Sequence, residues 1–365
     1  MALKLIEGFR AVYGSSTTDW TTYLRKKGYF VSGTTSNYIG PYGRWSAPNN
    51  YGLCLNSAPY YAGMKYLNKT KRLYVGMALY KANGTPTYTT GQPFFQFYDY
   101  DNVTRLVRMH MEADFSISVY NAAGTLLGQT AGGVVGNESW FYFEAYIKAD
   151  ASAGEVIIRI NEQVVLNLSA KNTDSGAAGN VGAIRMWQVN SAQDLYITDL
   201  YVDDAQFHGN CRVRSFVPDS DETHSDWTRN TGANDYECVD DIAPIDGDTT
   251  YIEGQNIDDK SSFGITTGAL AEVVKGLAID NYYRASNAGQ PRRIQALVRS
   301  GGSDYKQPRS GSATTSYKMN YAVVEKDPQD NGTWNQSKIE AAEFGVALTY
   351  NTTTTSTTTT TTTTV

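Results

Sequence analysis

Apolar and polar residues alternate in short runs along most of this chain, the period of strands that bury one face. Trp140-Phe141-Tyr142-Phe143-Glu144-Ala145-Tyr146-Ile147 is the clearest run. A turn at Gly154 leads into Glu155-Val156-Ile157-Ile158-Arg159-Ile160, and the reversal Asn161-Glu162-Gln163 into Val164-Val165-Leu166-Asn167-Leu168. After a polar, glycine-rich loop from Lys171 to Asn180, the stretch ends on Leu195-Tyr196-Ile197-Thr198-Asp199-Leu200-Tyr201-Val202-Asp203-Asp204. This order predicts adjacent antiparallel strands in a two-layer sandwich. Upstream, Leu73 to Tyr80 and Phe94 to Tyr100 read as strands that continue the sheet. Thr104 to Met111 and Phe115 to Tyr120 pair around an Asp114 turn, with Asn83-Gly84 and Ala123-Gly124 at hairpin tips.

Downstream, Val213 to Val217 reads as a strand, followed by an acidic, loop-rich stretch from Asp219 to Asp259. Regular strands return at Ala278 to Arg284, Arg293 to Arg299 and Lys318 to Glu325. One short helix is expected: Thr333, Trp334, Asn335 and Gln336 form a capping box, Ile339 and Ala342 share a face, and Gly345 ends it. From Thr349 the chain becomes an almost pure threonine run, which lacks the apolar side chains to offset its own ordering.

Composition sharpens this into an all-β chain. The 27 Tyr and 33 Gly among 365 residues suit strands and tight turns, and the length exceeds what one core usually serves. The expected organisation is a sandwich over 1–208, a second β-rich domain over 209–348 and a tail over 349–365. A formal net charge of -6 argues against a nucleic-acid groove. Met1 to Arg10 holds no long apolar segment, so neither a secretory signal nor a membrane span is expected there. Cys54, Cys211 and Cys238 show no C-x-x-C spacing and are expected to be free thiols.

The order W-x-x-x-E, then G-x-V-x-I-x-I-N, an N-T loop and Y-I-T-D-L-Y-V-D-D resembles the laminin-G or concanavalin-A-like jelly rolls of bacteriophage structural proteins. The resemblance continues through His208-Gly209-Asn210-Cys211-Arg212-Val213, Pro218-Asp219, Ser225-Asp226-Trp227-Thr228, Val239-Asp240-Asp241 and Asp246 to Ile252. Near the end it takes in Asp327-Pro328, Trp334 and Glu343-Phe344-Gly345-Val346. It implies a concanavalin-A-like jelly roll and a virion structural protein on capsid or tail, assembled in the host cytoplasm. Other virion proteins and further copies of the chain would be its partners. A carbohydrate-binding host-attachment adhesin is the alternative, and a polysaccharide-degrading enzyme the third reading.

Candidate chemistry is sparse, and no catalytic residue is assigned. Glycanases on such sandwiches use alternate carboxylates on one strand face. The nearest approach, Glu112-Ala113-Asp114, is followed by Ser116 and Ile117 and reads as a polar hairpin turn, so no enzyme is expected. His110, His208 and His224 are scattered, which disfavours zinc. Calcium takes several oxygen ligands, which the acidic loops can offer: Asp99-Tyr100-Asp101-Asn102, Asp240-Asp241, Asp246-Gly247-Asp248, and Asp199, Asp203 and Asp204. None has EF-hand spacing, and no cofactor is assigned. The aromatic residues Tyr38, Tyr42, Trp45, Tyr60 and Tyr61, set among polar neighbours, are the candidates for stacking on the sugar rings of a host glycan, against packing within the sandwich or at a contact between subunits.

Overall fold

A computed structural model describes residues 3–9, 24–25, 27–31, 38–40, 44, 52–55, 61–82, 93–99, 104–174, 179–187, 195–241, 248–270, 273–286 and 292–350. In chain order the first strands are β1 (Leu3–Glu7), β2 (Tyr29–Val31), β3 (Tyr38–Gly40), β4 (Gly52–Leu55), β5 (Tyr61–Thr70), β6 (Arg72–Lys81), β7 (Phe95–Tyr98) and β8 (Arg105–Met111). They are followed by β9 (Ile117–Asn121), β10 (Leu126–Gln129), β11 (Trp140–Lys148), β12 (Gly154–Ile160), β13 (Gln163–Lys171), β14 (Val181–Trp187) and β15 (Leu195–Asp203). One sheet runs β13-β12-β11-β6-β15-β4-β3, with β1 also on β15; the other runs β10-β9-β8-β7-β14-β5-β2. All these pairings are antiparallel, and the two sheets form the two-layer sandwich expected from the alternation, consistent with the jelly roll that the resemblance implied.

Burial follows the period of two. Along β12 every second residue is buried, from Gly154 through Val156 and Ile158 to Ile160. Phe143 and Ile147 on β11, Val75 and Met77 on β6, and Ile197 on β15 face Phe95 and Phe97 on β7, Val107 and Met109 on β8, and Ile184 and Met186 on β14. Each large side chain so enclosed contributes about 1.5–3 kcal/mol. Phe143 meets Phe94 and Phe95 edge-on at centroid distances of 5.2 and 5.8 Å, tying the layers together.

The strands from Trp140 to Asp203 are not all neighbours. β11, β12 and β13 are contiguous, but β14 crosses to the second sheet and β15 returns to lie beside β6. The Leu73 and Phe94 runs likewise fall on opposite sheets, as β6 and β7. Val213 to Val217 is no strand. Its first amide donates to the Asp199 Oδ1 carboxylate oxygen (2.8 Å) and not to a neighbouring strand.

The outer face of the first sheet is sealed by the segment after β15. Glu144, Gly76 and Tyr201 stand opposite one another on β11, β6 and β15. A Cβ on Gly76 would lie 2.1 Å from the Tyr201 ring, so glycine lets that ring cross β6 and reach Glu144. Glu144 Oε1 accepts from Tyr201 Oη (2.5 Å) and from Gly209 N (2.9 Å), while Oε2 pairs with Arg159 (3.1 Å). Asp203 holds His208 at 2.8 Å, and Tyr142 Oη donates to the Asp199 carbonyl. Replacing Gly76 by Ala is expected to cost about 1–3 kcal/mol, read as a lower urea midpoint at unchanged slope; an unchanged midpoint would mean the ring does not need that space.

The remaining strands are β16 (Ser220–Ser225), β17 (Thr228–Arg229), β18 (Ile252–Glu253), β19 (Lys260–Gly264), β20 (Leu277–Tyr283), β21 (Arg292–Ser300), β22 (Ser303–Ser312), β23 (Lys318–Val324) and β24 (Glu343–Tyr350). They build a sheet β16-β19-β24-β21-β22 and the pairs β17-β18 and β20-β23, so the acidic stretch after Asp219 carries more strand than its composition suggested. Asp304 on β22 gathers Lys260, His224 and Arg299 at 2.7, 2.9 and 2.9 Å; these partners outweigh burial and hold its carboxyl below the usual range. The helix α1 (Gln336–Ala341) is capped by Asn335, whose side chain accepts from Lys338 N, and not by Thr333. Gly345 does not end it. That residue lies in β24, where a Cβ would sit 1.9 Å from the Ser261 carbonyl oxygen. Cys54, Cys211 and Cys238 are thiols. No helix among the described residues is long and apolar enough to cross a membrane. The Asn83-Gly84 tip and the threonine run from 351 lie outside the described residues.

Candidate functional site

The outer face of the second sheet carries an unusual row. Tyr120 on β9 stands opposite Arg108 on β8, Arg108 opposite Gln96 on β7, and Gln96 opposite Arg185 on β14. Because Phe95, Phe97, Val107, Met109, Ile184 and Met186 take the core side of these strands, the residues between them must point away from it. A second row beside it holds Ser118 and His110, and a third holds Arg105, Tyr98 and Ala183. The arrangement is a polar and aromatic surface laid across four strands.

Its floor is closed and its rim open. Gln96 is 1% exposed, His110 0% and Tyr98 6%, whereas Arg108, Tyr120, Arg185 and Trp187 are half-buried. Gln96 is the hub: its Oε1 accepts from Tyr98 Oη (2.9 Å) and from Trp187 Nε1 (3.0 Å). The oxygen of the Gln96 amide is thus committed to two donors. The guanidinium of Arg185 lies 4.3 Å from the Tyr98 ring centre and 5.6 Å from that of Trp187; Arg108 lies 5.4 Å from Tyr120. Each guanidinium thus lies against an aromatic ring at cation–π distance on the outer face.

His110 packs edge-on against Tyr120 at 5.0 Å. Burial, with Arg108 and Arg105 nearby, pushes its pKa down from 6.5 to about 4, so the imidazole is neutral at pH 7. The unfolded chain takes up a proton here between pH 6.5 and about 4 that the folded chain refuses. The resulting contribution is complete above pH 6.5, is lost as pH falls toward 4, and amounts to about 3 kcal/mol. Wild-type stability is therefore expected to fall more steeply over that window than that of His110→Asn in paired urea titrations. Parallel curves would remove His110 from the account.

Of the residues singled out in the sequence, Tyr38 lies in β3 of the first sheet and Tyr61 in β5 of the second, so these two belong to different layers. Tyr42, Trp45 and Tyr60 lie outside the described residues. Glu112 and Asp114 sit in the turn between β8 and β9, where Asp114 accepts from Ser116 N and Oγ; those bonds lower its pKa. Four of the acidic calcium candidates have protein partners: Asp199 takes Val213 N, Asp203 takes His208, Asp204 pairs with Lys4, and Asp248 with Arg284 and Tyr317. Asp101, Asn102 and Asp246 lie outside the described residues. Among the described residues no three His, Cys, Asp or Glu side chains converge as a metal would require.

No family model and no curated protein matches the sequence. Solved structures do resemble it in fold. The alginate lyase Aly36B aligns over 56% of this chain and 98% of its own at 9% identity and a TM-score of 0.38. An endo-β-1,4-glucuronan lyase from the fungus Trichoderma reesei aligns over 49% and 95% at 10% identity and 0.33. The carbohydrate-binding module CBM66 from Bacillus subtilis aligns over 48% and 95% at 6% identity and 0.31. The expected virion structural role is corrected by this comparison: these matches are polysaccharide lyases and a carbohydrate-binding module, so the virion reading is not carried further.

Proposed function

We propose that the protein binds an anionic polysaccharide on the outer face of its second sheet. The observation that carries this reading is the Tyr120-Arg108-Gln96-Arg185 row, in which two ring-stacked guanidinium groups bracket a buried amide. An acidic chain that gathers arginines on one face has concentrated positive charge there, which favours a uronate carboxylate or a sulfate ester. Half-buried Tyr120 and Trp187 supply apolar faces for the sugar rings beside those charges. The contact is one of recognition, and no glycosidic cleavage is part of it. In support, Asp114 is occupied by Ser116 on a hairpin turn.

Affinity electrophoresis tests the reading. Gels cast with a polyuronate should retard the protein more than gels cast with a neutral β-glucan, with no reducing ends released from either polymer. Equal mobility in all gels would refute binding; reducing ends, lost on replacing Glu112 or Asp114 by Ala, would refute the recognition-only reading.

A further inference from the structure

The part of the chain after Asp219 borders a large apolar space that its own side chains do not fill. Residues of β20, β21 and β24 line a cavity of about 870 Å³. Two apolar clusters meet it without merging. At one end Leu277 and Ile279 on β20 join Phe344 on β24, Leu270, Val274 and Ile339 of α1. At the other end Tyr283 on β20 joins Trp227, Ile252, Ile294 and Leu348. Leu277, Ile279, Phe344 and Tyr283 are only partly buried although they belong to these clusters, and each borders the cavity. Aliphatic walls of this kind offer water few of the polar partners that hold it in a protein interior.

We propose that this cavity binds a long-chain fatty acid, its hydrocarbon chain lying along β20 and its carboxylate at Arg292. The seven residues of β20 span about 20 Å, so the two clusters mark out an elongated site. The α1 end is aliphatic and takes hydrocarbon. Arg292 stands at the other end, on the face of β21 that carries Ile294 and Val298, one from each cluster. It is half-buried, donates to the Gly254 carbonyl at 3.5 Å, and pairs with no carboxylate among the described residues. Other cations on the wall are matched: Lys27 holds Glu7 and Asp280 at 2.8 and 2.7 Å, and Arg284 holds Asp248 at 2.7 Å. A fatty acid supplies the anion that Arg292 lacks and fills the aliphatic space with one molecule.

Isothermal titration of the delipidated full chain with palmitate tests this. Palmitate should bind one to one, and octanoate at least about a hundredfold more weakly, since each buried methylene contributes about fourfold. Arg292→Gln should weaken palmitate by about tenfold or more, while Lys275→Gln, at an exposed lysine near the Leu277 end, should leave it unchanged. Ile279→Trp, which fills the cavity, should abolish binding; should that variant not fold, the chain-length comparison on the wild type still decides. No palmitate binding, or equal affinity for octanoate and palmitate, would overturn the proposal. Loss of affinity in Lys275→Gln but not in Arg292→Gln would overturn the placement of the carboxylate.

Discussion

Replacing Arg108 and Arg185 by alanine is expected to abolish most of the affinity for an anionic polysaccharide while the sandwich stays folded. Both guanidinium groups are half-buried on the outer face and contribute nothing to the core side of β8 or β14. A hydrogen bond from a charged donor contributes about 1.5–3 kcal/mol, so each single variant should lose about ten- to a hundredfold in affinity and the double variant more. Lysine at either position keeps the charge but not the planar fork or the ring stacking, and should recover only part of the loss. Isothermal titration with uronate oligosaccharides reads this directly. Equal affinity in the wild type and the double variant would remove the row from the binding surface. Because ionic contacts are screened, wild-type affinity should also fall as salt rises, and the double variant should lose most of that dependence.

The largest effect on stability is expected at Glu144, on the opposite side of the molecule. Its carboxylate is fully buried and holds Tyr201, Gly209 and Arg159 together. Burial, and then the nearby Glu144 charge, drives the Tyr201 hydroxyl pKa well upward, so the hydroxyl remains a donor. Removing the acceptor by Glu144→Ala strands that buried hydroxyl and takes the carboxylate partner from Gly209 N and Arg159, at a cost of about 1–3 kcal/mol for each donor left unsatisfied. Glu144→Gln, which keeps an acceptor oxygen, should lose less. Urea unfolding measures both, and a loss below about 1 kcal/mol for the alanine variant would mean that the cluster does not hold the segment after β15 in place.

The sandwich was legible because β6, β7, β8, β9, β11, β12, β13 and β15 all fall within a few residues of runs read from alternation, as β20, β21 and β23 do in the remaining sheets. β14 was missed for a physical reason. Its text, Val181-Gly182-Ala183-Ile184-Arg185-Met186-Trp187, is buried at its first four positions in a row, so it shows no apolar-polar alternation there. That miss hid the site. Gln96 and Arg108 sit on consecutive strands, but Arg185 arrives from far along the chain, and only the sheet order β8-β7-β14 sets it beside Gln96. A local signal did exist: Gln96 is a lone polar residue between Phe95 and Phe97, and Arg108 and His110 occupy alternate positions on the next strand. The helix cap was misplaced by two residues because Thr333 and Asn335 are both competent caps, and only the fold shows which side chain reaches an amide. The expected Val213 strand failed because its amide found a carboxylate before it found a neighbouring strand.

A crystal structure of the protein with a uronate trisaccharide is the most direct measurement of the central claim. A sugar carboxylate is expected within hydrogen-bond distance of Arg108 or Arg185, with a sugar ring against Tyr120 or Trp187. A trisaccharide bound elsewhere on the protein, with the row on β9, β8, β7 and β14 left uncontacted, would contradict it.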